Sequence, residues 1–195
     1  MRVTSINNEN EVAVVIDPCD NGQEILQFVK SQKKTVSAVF ITHAHFDHIA
    51  GLHDLCNGTD IKVYVHADDA DALYNDRKNL SATMFGTPFT FCGNVVKVND
   101  GDKIKVGSME FEVLHTPGHT QGSCCYINNA ERTIFSGDTL FMDSCGRTDL
   151  PGGNTAELIN SLKKLSRLDG DYKVYSGHGP CTTLENERIN NPYMP

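Results

Sequence analysis

The run "ITHAHFDHIAG" (residues 41–51) places His43, His45, Asp47 and His48 within six positions, directly after an apolar stretch. Three imidazoles and a carboxylate at that density cannot be packed into a core without partners, since burying polar groups unpaired is costly. The apolar segment "SAVFIT" (37–42) reads as a short strand that delivers the chain into the cluster. Successive residues of an extended turn point oppositely, so His43 and His45 can reach one metal ion while Asp47 and His48 reach another. With eight histidines in 195 residues, chance produces this spacing roughly once in a thousand such chains. The cluster is therefore read as a metal site.

Three more segments carry the same chemistry at strand ends: "HTPGHT" (115–120), "SGDTLF" (136–141) and "SGHGP" (176–180). Imidazole and carboxylate donors suit zinc, iron or manganese, and sharp turns containing Gly or Pro hold such ligands rigidly. Open sheets tend to place their sites at strand ends.

The elements around these segments follow from periodicity. Strands are expected at 11–17, 37–42 and 61–66, then at 94–98, 103–106, 109–115, 124–128, 132–136 and 172–176. A helix is expected at 22–32, with Asn21 and Glu24 as a capping box, and a short one at 67–75. The clearest helix is 154–168, with Leu158, Ile159, Leu162 and Leu165 on one face, Asn154 and Glu157 at its start and Gly170 at its exit. Residues 76–92 have no period and read as a long loop. The order β-α-β-α-β, a run of strands, then α-β implies one layered α/β domain over 1–195, with mixed sheets and helices outside them.

Composition narrows the function. The formal charge is −8, which argues against nucleic acid as a partner, because phosphate binding needs clustered Lys and Arg. No apolar run approaches the length of a membrane span, and "MRVTSINNEN" lacks the apolar core of a signal peptide. Seven cysteines without CxxC spacing, two of them adjacent at 124 and 125, read as reduced thiols of a cytoplasmic protein. No Cys/His pairing and no G-x-S-x-G elbow offers a nucleophile.

The order of motifs, from T-H-x-H-x-D-H (42–48) through "GDTLF" and "GRTDLPGGN" to "HGPCTTLENERINNPY", resembles the metallo-β-lactamase superfamily. Within it the chain is similar to the short glyoxalase II-like hydrolases, the hydroxyacylglutathione hydrolase-like subgroup. The resemblance implies an αββα sandwich, two mixed sheets packed together with helices on the outer faces. It also implies two divalent metal ions, zinc first, with iron or manganese as alternatives. His43, His45 and His119 would hold one metal, Asp47, His48 and His178 the other, and Asp138 would bridge them. Asp47 and Asp138 are the expected catalytic carboxylates. His53, His66 and His115 are left over, for surface, capping or supporting roles.

The chain also departs from the family. Ten residues precede Glu11, so the sheet is expected either to lack an N-terminal edge strand or to start further upstream. The family's D-P-G turn is Asp17-Pro18-Cys19 here, with Asp17 either orienting a ligating histidine or simply forming the turn. Only 17 residues follow His178, so no C-terminal helical glutathione-binding domain is expected.

Two metals can bridge one water and lower its pKa from about 15.7 toward about 7, giving a metal-bridged hydroxide. The implied activity is hydrolysis of a small-molecule thioester of the S-lactoylglutathione type, with no nucleic-acid or membrane partner. Arg147 stands where relatives contact the glutathione backbone; an ion pair with Asp149 is the alternative. Two rival readings remain. One is a persulfide dioxygenase of the same fold, with one iron on His43, His119 and Asp138. The other is a metal-binding protein without catalysis, although no ligand has been lost. A β-lactamase is disfavoured, because no zinc-ligand cysteine precedes a G-D-like segment.

Overall fold

The computed structural model describes residues 3–6 and 11–194, the first four by their backbone. The chain divides into two compact units, residues 1–98 with 105–109, and 99–104 with 110–195.

The first unit is built on the five-stranded sheet β1-β2-β3-β4-β5. Its elements in chain order are β1 (Val3–Ile6), β2 (Val12–Ile16), α1 (Gly22–Ser31), β3 (Thr35–Ile41), α2 (Phe46–Ile49), α3 (Leu52–Cys56), β4 (Lys62–His66), a 3₁₀ turn (Ala70–Tyr74), α4 (Ser81–Met84) and β5 (Val95–Val98). β1 pairs antiparallel with β2 and the remaining pairs are parallel. An edge strand is thus present, though only four residues long, where the short lead-in had left its presence open.

Parallel strands covered on both faces read as continuous apolar runs, and β2 and β3 do: Ala13 through Ile16 and Ala38 through Ile41 are all buried. On one face Ala13, Val15, Val39, Ile41, Val63 and Val65 form a core with Ile25 and Val29 of α1 and Leu52 and Leu55 of α3. Asn21 caps α1 by accepting from the Glu24 amide at 3.4 Å. The reciprocal half of the expected box is absent, since the Asn21 amide donates to Asp20 Oδ1 at 2.7 Å. Residues 67–75 form a 3₁₀ turn rather than an α-helix, and one helical turn, α4, interrupts the 76–92 loop.

The second sheet runs β13-β12-β9-β8-β7-β6. Its strands are β6 (Lys103–Val106), β7 (Met109–His115), β8 (Cys124–Asn128), β9 (Thr133–Gly137), β12 (Lys173–Ser176) and β13 (Thr182–Thr183). Between β9 and β12 come a two-stranded hairpin, β10 (Leu140–Phe141) with β11 (Ser144–Cys145), and helix α5 (Thr155–Ser166); α6 (Leu184–Asn190) follows β13. Leu158, Leu162 and Leu165 of α5 are buried, the last two against Cys125, Ile127, Ile134 and Val174. Ile159, expected on the same face, is exposed, because its place on the helix turns it away from that face and Ser161 takes the buried position.

One buried carboxylate organises the end of the second unit. Glu187 of α6 accepts from Thr182 Oγ1 at 2.6 Å, Asn186 Nδ2 at 2.8 Å, Asn191 Nδ2 at 2.8 Å and the Asp143 amide at 2.9 Å. Burial alone would raise its pKa, but these donors outweigh it and hold the carboxyl below its ordinary value. Its contribution to stability is therefore present at neutral pH and fades as pH falls through the lowered pKa. The network ties α6 to the β10–β11 hairpin, which runs directly into Gly146 and Arg147.

Candidate metal centre

In the first unit, β3 ends at Ile41 and the chain turns through Thr42 and His43 into α2, with His45 at the N-cap of that single helical turn. Ring centroids of His43 and His45 lie 4.8 Å apart, and those of His43 and His48 lie 4.0 Å apart. His43, His45 and His48 are all buried, while Asp47 is partly exposed. Donor atoms of His43 and His45, of His43 and His48, and of Asp47 and His48 approach within 4.8 Å in each case.

Asp17 fixes two of these imidazoles. Its Oδ1 accepts the Thr42 amide at 2.8 Å and its Oδ2 accepts the Thr42 hydroxyl at 2.7 Å. The same Oδ2 lies 3.0 Å from His48 Nδ1, and Thr42 Oγ1 lies 3.2 Å from His43 Nδ1. The hydroxyl proton of Thr42 is committed to Asp17, so its lone pair is what faces His43 Nδ1–H. Both rings then carry their proton on Nδ1 and present Nε2 as the donor atom. Asp17 is both the turn former and the orienting group, at a φ of 48°. Asp69 adds a second brace, accepting the Ala44 amide at 3.0 Å.

In the second unit, His119, Asp138 and His178 converge. Oδ2 of Asp138 lies 3.7 Å from His119 Nε2 and 3.5 Å from His178 Nε2. Those separations are long for hydrogen bonds. They suit ligands of one ion, since two donors at ~2.1 Å in tetrahedral geometry sit roughly 3.4 Å apart. Asp47 and His48, at 3.7 Å, show the same spacing in the first unit. His119 Nδ1 donates to the Arg147 carbonyl at 2.7 Å, which again leaves Nε2 as the ligand atom. Donor type, tautomer and spacing all fit divalent metal ions.

Small residues bring these segments together. A Cβ on Gly118, whose φ is 134°, would stand 2.3 Å from the Leu158 amide nitrogen, so only glycine lets the 117–119 turn lie against the start of α5. A Cβ on Gly146 would stand 1.9 Å from the Asp138 carbonyl oxygen, so only glycine lets the segment leading to Arg147 lie this close to the aspartate. Buried hydroxyls of Thr116 and Thr139, 2.9 Å apart, join the His119 and Asp138 segments.

The remaining candidates fall elsewhere. Arg147 forms a bidentate pair with Asp149, both bonds 2.7 Å, on the exposed surface. That guanidinium holds the Asp149 carboxyl down at about 2. His53 bonds the Thr90 carbonyl and His115 the Gln121 carbonyl, each at 2.9 Å, while His66 Nδ1 accepts the Asp68 amide at 3.3 Å. Burial pushes the Cys56 thiol up to about 11 and Cys125 up to about 12, leaving both poor nucleophiles. Ser136 and Ser176 donate to the carbonyls of Leu140 and His178. The orienting roles of Thr42 and Asp69 escaped the sequence reading: Thr42 stands at the head of T-H-x-H-x-D-H with no sign that its hydroxyl acts, and nothing in "ADDAD" separates Asp69 from its neighbours.

Comparison with known proteins agrees with this chemistry. Residues 4–178 match the model of the Metallo-beta-lactamase superfamily. The "Probable metallo-hydrolase YqgX" of Bacillus subtilis is 35% identical over 95% of this chain and 88% of its own length. "Hydroxyacylglutathione hydrolase GloC" of Haemophilus influenzae is 29% identical over 96% and 89%. Among solved structures, the BLEG-1 B3 metallo-beta-lactamase superposes with a TM-score of 0.90 at 36% identity, over 96% of this chain and 90% of that one. TTHA1623 in a di-iron-bound form gives 0.82 at 34%, over 93% and 89%.

Proposed function

Because this chain belongs to the metallo-β-lactamase superfamily, we propose that its two sets of donors form one dinuclear centre that hydrolyses thioesters. His43, His45 and His119 would hold the first ion, Asp47, His48 and His178 the second, with Asp138 serving both. The observation that carries this reading is the orientation of the donors: Asp17, through Thr42, and the Arg147 carbonyl turn three separate imidazoles so that Nε2 is the outward atom.

Two divalent ions so held would supply an activated water at neutral pH and a Lewis acid for the substrate carbonyl. The protein's own part is to fix the donors and keep their tautomers. His178 is more than half exposed and Asp47 one-third exposed, so each is accessible to solvent. Zinc is the proposed metal, although the di-iron form of TTHA1623 makes iron a competitor to be measured. The similarity to GloC supports a hydroxyacylglutathione-type substrate.

The test is a substrate panel on the metal-loaded protein: glutathione thioesters including S-lactoylglutathione, an uncharged thioester, a persulfide with oxygen uptake, and a β-lactam. Thioester turnover well above the other classes is expected. Oxygen consumption with persulfide, or β-lactam turnover exceeding every thioester, would overturn the reading.

Arg147 is proposed to meet a glutathione carboxylate, exchanging or sharing its bond to Asp149. Arg147→Ala should then raise KM for a glutathione thioester about tenfold with kcat nearly unchanged, as expected for lost uniform binding. Asp149→Asn should lower that KM, by removing a competing anion. Equal effects on the uncharged thioester would mean that the Arg147–Asp149 pair is purely structural.

A further inference from the structure

We propose that Phe46 and the Met84–Phe85 turn form the apolar surface that receives the acyl chain of the substrate, and that this patch favours acyl groups longer than lactoyl. The inference rests on the thioester reading above.

Residues 76–92 hold five large apolar side chains, and the structure divides them. Phe91 is buried in the first unit's core and Phe89 packs against that core. Met84 and Phe85 remain 53% and 48% exposed. Leu80 is buried as well, so burial accounts for three of the five.

Phe85, of the exposed pair, packs on the metal-ligand turn. The Phe85 ring lies 5.2 Å from that of Phe46, and Phe89 lies 5.5 Å from Phe46 on the same cluster. Phe46 is the residue between His45 and Asp47, and its amide donates to the Asn79 carbonyl at 2.8 Å. The loop is therefore fastened to the backbone that carries two proposed ligands.

A polar scaffold beneath holds the apolar tip outward. Asn79, fully buried, donates to the carbonyls of Ala72 at 3.0 Å and Phe89 at 2.9 Å and accepts the Ser81 amide at 3.0 Å. Ser81 Oγ donates to the Asp76 carbonyl at 3.2 Å and accepts the Phe89 amide at 3.0 Å. Leu80, at a φ of 66°, turns the chain into α4 through a conformation that leucine rarely adopts; such backbone persists where its surroundings over-determine it.

Exposed apolar surface fastened to the turn that carries two proposed ligands calls for an apolar ligand. Three side chains are too few for a protein partner, whose interface needs roughly 20–30 residues a side. They match one short alkyl chain. A lactoyl group, with its single methyl, would leave most of the patch bare.

The chain contains no tryptophan, so Phe85→Trp introduces a single indole as a reporter. The metal-loaded variant is titrated with acetate, butanoate, hexanoate and octanoate. A blue-shifted emission is expected, with the apparent Kd falling up to about fourfold per added methylene until the patch is filled. In the otherwise native protein, Phe85→Ser should raise KM for a hexanoyl thioester about tenfold relative to an acetyl one, with metal content unchanged.

Emission indifferent to chain length would overturn the proposal, as would a KM ratio unmoved by Phe85→Ser. The two readings fail separately. A length-dependent shift without thioester turnover would keep the acyl patch and sink the thioesterase. Thioester turnover without any length dependence would do the reverse.

Discussion

Asp138→Ala should lower turnover by at least about a thousandfold and leave the protein unable to hold its full metal complement. The carboxylate sits 3.7 Å from one ligating imidazole and 3.5 Å from the other, and it is the only anion of the second unit's donor set. Removing it leaves two neutral imidazoles with nothing to offset the charge of a bound cation. The control is His53→Ala, whose ring is within hydrogen-bonding distance of the Thr90 carbonyl and which should keep near-native rates. The comparison is read by steady-state kinetics together with elemental analysis. Equal losses in the two variants would show that the ligands have been assigned wrongly.

Asp17→Asn should weaken metal binding by roughly 10- to 100-fold without unfolding the protein. Asparagine tolerates the positive φ of this position better than other residues, so the turn survives. The amide, however, must offer either its oxygen or its NH₂ where one carboxylate now accepts from the Thr42 amide, the Thr42 hydroxyl and His48. An NH₂ facing His48 Nδ1 would favour the tautomer with its proton on Nε2, the atom required for the metal. Competition against a chelator measures the change, and circular dichroism melting checks the fold. Native metal affinity in this variant would mean that the ring orientation is set without Asp17.

Much of this was legible because metal ligation demands side chains at fixed spacings on rigid turns. H-x-H-x-D-H, "HTPGHT", "GDTLF" and "SGHGP" are visible as such, and the structure brings their donors together in each unit by itself. The parallel strands were equally plain, since burial on both faces forces unbroken apolar runs such as "VAVVI". Short elements were not. The β10–β11 hairpin has two residues a strand, too few to show a period, and α4 has only four residues. Ile159 was misplaced because apolarity alone does not say which side of a helix is covered. Arg147 shows a different limit: its side chain drew attention, while its carbonyl, which orients His119, is a backbone group that no residue type announces. Asn79 is similar, a single amide among polar neighbours whose importance lies in what it spans.

The most direct test of the central claim is metal stoichiometry followed through activity. The protein is stripped with chelator, shown to remain folded, and titrated with zinc and separately with ferrous iron while thioester hydrolysis is recorded. Two equivalents per chain should bind, with activity reaching its plateau only as the second site fills. A plateau at one equivalent of iron, with no gain from a second metal, would contradict the dinuclear hydrolase and favour a single-iron oxygenase on His43, His119 and Asp138.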